Sequence, residues 1–322
     1  MFLLKVSYST GWVFGPLQDL FCFTLPFFIA FSFDGSDYIN QSWLGFFFTK
    51  VFFAGHIFTT IIPLKKTIES SGVSKARFFI IPILYIAIYG VLIIYDFRYF
   101  QNFLCFSILV HIFYQHISWG KISFKREDKL SHSFLKILVI LPLSLWLLNQ
   151  LPSNPHYLYS FNLTENIPKL DWRRESTAVS IFFFITAFFL SITKENKKNV
   201  LNIGKAHFLL STVLWLTYGL FYAKTVSFFL YYLNIAHGLG YMIYITQSWP
   251  VHHHLPQWNE SNRMLKVVMT SLLGGAAWMT ILWNSSKYLP QQFLIIPWLP
   301  LIIHFAFDSY LWSKSRLKVI IT

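Results

Sequence analysis

The feature that most restricts this chain is a recurrence of apolar runs about as long as a bilayer is thick, separated by short polar connections. A helix needs about 20 apolar residues to cross the hydrocarbon core. Ten stretches approach or exceed that need: 11–33, 41–63, 78–96, 99–120, 134–152, 178–193, 206–223, 226–248, 267–284 and 289–312. Only a tight turn at Asp96–Arg98 joins the third to the fourth, and the sixth, AVSIFFFITAFFLSIT, is the shortest. Composition points the same way. The chain is 55% hydrophobic, 20% aromatic and 12% charged, where a soluble domain carries about a quarter charged residues. Its mean hydropathy is +0.50. The expected fold is all-α: a polytopic bundle of about ten transmembrane helices forming one integral membrane domain over 1–322. A bacterial inner membrane, or an equivalent plasma or organelle membrane, is the expected location.

Charge sets the orientation, because cytoplasmic connections are enriched in Lys and Arg. The second connection holds Lys65, Lys66, Lys75 and Arg77; the fourth holds Lys121, Lys125, Arg126 and Lys129. The sixth holds Lys194, Lys197, Lys198 and Lys205, the eighth Arg263 and Lys266, and the C-terminal segment Lys314, Arg316 and Lys318. The first carries Asp34 and Asp37 instead, the fifth (153–177) is mixed, and the third, seventh and ninth are nearly uncharged. This alternation fits ten spans with both termini cytoplasmic. It also explains the net charge of +13 without nucleic acid, which is excluded as a partner. Cys22 and Cys105 lie inside apolar runs, so neither a disulfide framework nor a thiolate metal site is expected. MFLLKVSYSTGW lacks the pattern of a removable signal peptide. No P-loop or dinucleotide fingerprint is present, and HGLGY has the wrong context for one.

On that topology ten of the eleven histidines fall toward the cytoplasmic side, His156 being the exception. At about 1.5 Å rise per residue, His56, His111 and His304 lie roughly 10–14 Å inside the boundary, His237 about 17 Å and Asp19 about 12 Å. Asp308 shares a helix face with His304, one turn away. Ionisable groups inside a membrane are rare, face the bundle interior and mark functional paths. Five spans converging on one depth therefore single out His56, His111, His237, His304 and Asp308 as candidate metal ligands, with Asp19 and Tyr241 as candidate catalytic groups. Two histidines and a carboxylate with open positions suit non-haem Fe(II) and dioxygen chemistry, and the carboxylate serves either as ligand or as an acceptor that fixes an imidazole tautomer. A second tier comprises His116, His207, and the run His252, His253 and His254. In HIFYQH, Gln115 shares a face with His111, whereas His116 points about 140° away on a regular helix. His111 is therefore expected as a buried ligand and His116 as a boundary residue. Tyr114, Trp119, Tyr241, Tyr244, Trp298 and Phe305 are candidate pocket-lining aromatics.

Two resemblances follow. HIFYQH and the HHH run resemble parts of the histidine boxes of membrane fatty-acid desaturases and hydroxylases, whose further boxes are missing here. The general layout resembles the Brp/Blh-type membrane carotenoid dioxygenases: polytopic, basic, aromatic-rich, with single histidines on separate helices. That resemblance implies one iron held at positions similar to His56, His111, His237 and His304, and cleavage of a carotenoid-like substrate. The family's early proline–histidine–glycine element has no counterpart; FGPLQDL (Phe14–Leu20) offers Asp19 instead. The reading leans to an oxidoreductase with a non-haem Fe(II) or another transition metal, and dioxygen as co-substrate. Its partners are membrane lipids and a lipophilic small molecule taken from the cytoplasmic leaflet; it assigns no oligomeric state. Two alternatives stay open: a transporter or channel using the histidines for protons or metal ions, and a structural subunit of a membrane complex. Against transport stands the lack of repeated halves or matched helix breaks.

Overall fold

The structure is a computed structural model that describes residues 5–7, 11–26, 28, 55–59, 75–124, 128–150, 172–195, 198–221, 226–248, 260–290 and 293–311. The fold is all-α, with a small three-stranded sheet as the β structure among the described residues. The chain divides into two compact units, one of Met1–Ser36 with Ile112–Ala236 and one of Asp37–His111 with His237–Thr322.

The first unit opens with β1 (Lys5–Ser7), which runs parallel to β3 (Lys198–Asn202) with Lys5 opposite Val200. β2 (Ile192–Glu195) pairs antiparallel on the other side of β3. The sequence reading treats 194–205 as a basic connection without strands. Runs of three to five residues are too short to carry a period-two signal. The first apolar run also begins its helix late. Gly11 and Gly15 have φ of 87° and 143°, values that favour glycine. The carboxylate of Asp19 accepts the backbone N–H of Val13 at 2.8 Å and of Phe14 at 2.9 Å. This bonded turn takes 11–15 out of the helix, and α1 (Pro16–Asp19) starts with proline at its first turn. A wider π-helical turn follows at Leu20–Thr24. Within it the carbonyl of Phe23 accepts the indole N–H of Trp215 at 2.8 Å.

Longer helices of this unit are α4 (Phe97–Ser123, from Ile112 onward), α5 (Lys129–Gln150), α6 (Trp172–Leu190) and α7 (Ile203–Phe221). Both α5 and α6 pack along α7. The core is aromatic. Phe23 meets Trp119 and Phe208 edge to face at 5.4 and 5.2 Å. A Cβ on Gly120 would run into the Leu135 side chain, so glycine permits the close approach of α5 to α4. Asp128 caps α5 by accepting from Ser131 N at 3.1 Å and Ser131 Oγ at 2.8 Å. It also accepts from Lys205 Nζ, which donates to the Leu190 carbonyl as well. Burial pushes the Asp128 carboxyl up, but the Lys205 and Ser131 hydrogen bonds outweigh it and hold it below its ordinary value. Burial in turn lowers the Lys205 ammonium, against the pull of Asp128.

The second unit holds α2 (His56–Thr59), α3 (Lys75–Tyr95), the start of α4 through His111, α8 (Val226–Ser248) from His237 onward, α9 (Glu260–Tyr288) and α10 (Ile295–Leu311). Ile57, Tyr89, Ile93, Phe100, Trp278, Ile302 and Phe305 build its buried core. α3 lies along α10, and α2 lies against α9. At that second contact the Phe58 side chain sits where a Cβ on Gly274 would be, 2.6–2.8 Å from it. Trp278 Nε1 donates to the Pro297 carbonyl at 2.5 Å, tying α9 to α10. The tenth apolar run starts its helix at Ile295 rather than at 289, after Pro290.

Among the described residues one stretch, Asn262–Leu282 within α9, is long and apolar enough to cross a membrane, with mean hydropathy 1.5. Phe79–Tyr95, Ala178–Leu190 and Ile295–Asp308 are shorter apolar helices.

Candidate functional site

Four helices of the second unit each contribute one imidazole to a common cluster. His56 opens α2 directly after Gly55. His111 rides on α4, His237 on α8, and His304 on α10. The neighbours of His237 in sequence are small, Ala236 and Gly238, with Gly240 beyond. One turn further on each of two helices stands a second polar group: Tyr241 after His237, and Asp308 after His304. His56, His237, His304, Asp308 and Tyr241 are all buried, and the His111 side chain is 11% exposed.

The four rings form a closed circuit of neighbours. Centroids are 4.7 Å apart for His56–His237, 5.0 Å for His237–His111, 4.9 Å for His111–His304 and 5.1 Å for His304–His56. Their planes meet at 81°, 79°, 67° and 83°. An imidazole bound through one nitrogen at about 2.1 Å keeps its centroid about 3.2 Å from the ion, so adjacent ligands have centroids about 4.5–5.2 Å apart. All four observed separations fall in that interval. Ligand atoms of His56, His237 and His304 lie within 4.8 Å of one another, as do those of His111, His304 and Asp308. The donor set is nitrogen-rich with one carboxylate, which suits a first-row transition ion far better than magnesium or calcium. Around it, Tyr241 packs on His56 and His304 at 5.4 and 5.6 Å, and Phe305 covers His111 at 5.0 Å.

The other sequence candidates have surroundings of their own. Asp19 belongs to the first unit, where its carboxylate is engaged by the Val13 and Phe14 amides. His116 is buried in that unit's aromatic core. Its Nε2 is 2.8 Å from Thr212 Oγ1, and its ring stacks on Phe208 at 4.8 Å. The face of α4 that His116 points to is covered by Phe208, Thr212 and Trp215 of α7. His207 Nε2 lies 2.7 Å from Thr24 Oγ1, with its ring beside Trp12 at 5.5 Å. Tyr114 and Trp119 also belong to the first unit, Trp119 in its core and Tyr114 exposed. Trp298 packs on Phe100 and Trp278. His252, His253 and His254 lie outside the described residues, as does His156. Sequence reasoning missed the link between the two candidates one turn from a histidine: the Tyr241 hydroxyl donates to Asp308 Oδ1 at 2.9 Å. The shared one-turn spacing was the signal available, but it gives no partner.

No protein family, curated protein or solved structure matches the chain.

Proposed function

We propose that the chain is an integral membrane protein of ten spans with both termini cytoplasmic. In this reading its imidazole cluster holds a non-haem Fe(II) ion, or another first-row transition ion, for oxidation of a lipophilic, carotenoid-like substrate by dioxygen. The observation that carries it is the circuit of four histidines from four helices, in which ligand atoms of His56, His237 and His304, and those of His111, His304 and Asp308, lie within 4.8 Å of one another.

Contacts inside the first unit support an even number of crossings between the segments they join. β1 precedes the first span and β3 follows the sixth, yet they pair strand to strand. Ser123, after the fourth span, donates to the Gly11 carbonyl near the start of the first. Asp128 and Lys205, on either side of spans five and six, form an ion pair. Groups that touch share a side of a bilayer, and each pairing agrees with the cytoplasmic assignment from Lys and Arg. A lipid environment also suits the outer face of α3, where Phe79, Ile83, Leu84, Val91 and Ile94 are 55–75% exposed. Soluble monomers rarely expose a continuous apolar stripe of that extent.

Bound iron would supply the one-electron and dioxygen chemistry that protein side chains lack. The chain's part is to bind, orient and exclude water. His56, His111, His237 and His304 would hold the ion. Phe305 and the Tyr241 ring give the cluster apolar walls, as small-molecule sites usually have. A substrate dissolved in the inner leaflet would come in laterally between helices.

The test is metal analysis of the full-length protein, purified in detergent from iron-replete cells. About one transition ion per chain is expected. A content well under one per chain, not raised by reconstitution with Fe(II), would remove the metalloenzyme reading.

A further inference from the structure

We infer that Asp308 is a fifth protein ligand to that ion, through Oδ2 alone, and that Tyr241 is the positioning residue that dictates which oxygen binds. The inference rests on the metal reading and adds the ligand set and its one open position. Oδ1 of Asp308 takes the Tyr241 hydroxyl at 2.9 Å, an ordinary hydrogen bond. That bond leaves Oδ2 facing the histidines, 3.3 Å from His111 Nε2 and 3.7 Å from His304 Nε2. Both distances exceed the usual N–H···O length of about 2.9–3.0 Å. Both fit two ligand atoms each about 2.1 Å from one ion, which stand about 3.0–4.2 Å apart. The carboxylate is thus spaced as a co-ligand of the two imidazoles rather than as their acceptor.

Two consequences follow. Neutral imidazoles leave the double charge of the ion uncompensated in a buried site, and Asp308 offsets half of it at the first atom of contact. With these four nitrogens and one oxygen as donors, a six-coordinate ion would keep a single position for a non-protein ligand. That position admits one small molecule of the dioxygen, azide or nitric oxide class. A lipophilic substrate is then gripped by side chains and does not chelate the ion. Tyr241 acts through Asp308: without its hydroxyl the carboxylate is free to rotate or to bind through both oxygens, filling the open position.

The experiment uses full-length protein in detergent loaded with Co(II), read by chelator competition for affinity and by the visible ligand-field bands for coordination, with azide as the probe of the open position. Wild type is expected to bind one Co(II) and one azide. Asp308→Ala and the isosteric Asp308→Asn should each weaken Co(II) binding more than tenfold and shift the bands. Tyr241→Phe keeps the ring, and should weaken Co(II) by about 10–100-fold, as loss of an outer partner does, and alter both bands and azide affinity. Unchanged affinity and bands in both Asp308 variants would overturn the ligand assignment. Tyr241→Phe with wild-type bands and azide binding, whatever its melting temperature, would overturn the positioning role. A wild type that takes up no Co(II) would overturn the metal reading itself, and this inference with it.

Discussion

The imidazoles of His56 and His237 stand edge to face with centroids 4.7 Å apart, although the whole of Ile112–Ala236, which builds the other unit, lies between them in sequence. The contact exists because α8 brings His237 into the unit that holds α2. A cluster of four imidazoles assembled from four helices leaves each ring without a local substitute.

Replacing His237 or His304 by Ala should therefore lower bound metal to below about a tenth of wild type, since outer-sphere losses alone cost 10–100-fold in affinity. His132→Ala should leave the content unchanged; its ring packs beside Phe124 in the first unit. Metal analysis of the three purified variants checks this. Equal retention by His304→Ala and His132→Ala would count against the cluster as a metal site.

Topology has its own test. Reporter fusions after Thr322 and within 194–205 should read cytoplasmic, and one within 153–177 should read external. The β1–β3 pairing adds a constraint, because a reporter at the N-terminus must agree with one placed in 194–205. Opposite readings at those two positions would contradict the ten-span count.

Close packing near His56 yields another expectation. Phe58, two residues along α2, occupies the space over Gly274 on α9. The Phe58 Cβ itself is 2.8 Å from the point an alanine methyl at 274 would take, so a rotamer change alone does not relieve the clash. Gly274→Ala should destabilise the protein by about 1–3 kcal/mol, as overpacking does. It should also lower metal affinity, because α2 must shift and carries His56 with it. Thermal unfolding and Co(II) competition on the same variant separate the two effects; wild-type values in both would refute the tight contact.

Much of the helical framework was legible in the apolar runs. The expected stretches 78–96, 99–120 and 226–248 correspond to α3, α4 and α8 with small shifts at their ends. Hydrophobic length is a strong signal over twenty residues, and a weak one over four, which is why β1–β3 was not legible. The convergence of His56, His111, His237 and His304 was suggested by common depth, a one-dimensional quantity. Depth does not carry azimuth or partners, so it could not show that the Asp19 carboxylate accepts the Val13 and Phe14 amides. For the same reason Lys205 read only as a topogenic charge, whereas it is buried against Asp128.

That ion pair gives the last prediction. Lys205→Met keeps the stem and removes the charge, leaving Asp128 with Ser131 as its donor. At neutral pH the loss should be about 1–3 kcal/mol, the cost of leaving a part-buried charged group under-satisfied. The pH dependence fixes the sign. The Asp128 carboxyl is held below its ordinary value in the folded protein. Its contribution is therefore fully present above the unfolded carboxylate value of about 3.9, and is lost as pH falls through the lower folded value. In Lys205→Met the folded value rises, so that variant has less to lose. The stability gap between wild type and variant should accordingly shrink on going from pH 6 to about pH 2.5, as followed by thermal unfolding in detergent. Lys205 itself, lowered by burial, acts at the other end: the cost of burying its ammonium is relieved as pH rises through its folded value toward about 10.4. A gap that stays constant or widens in acid would show that Lys205 stabilises the fold through its stem and not through Asp128.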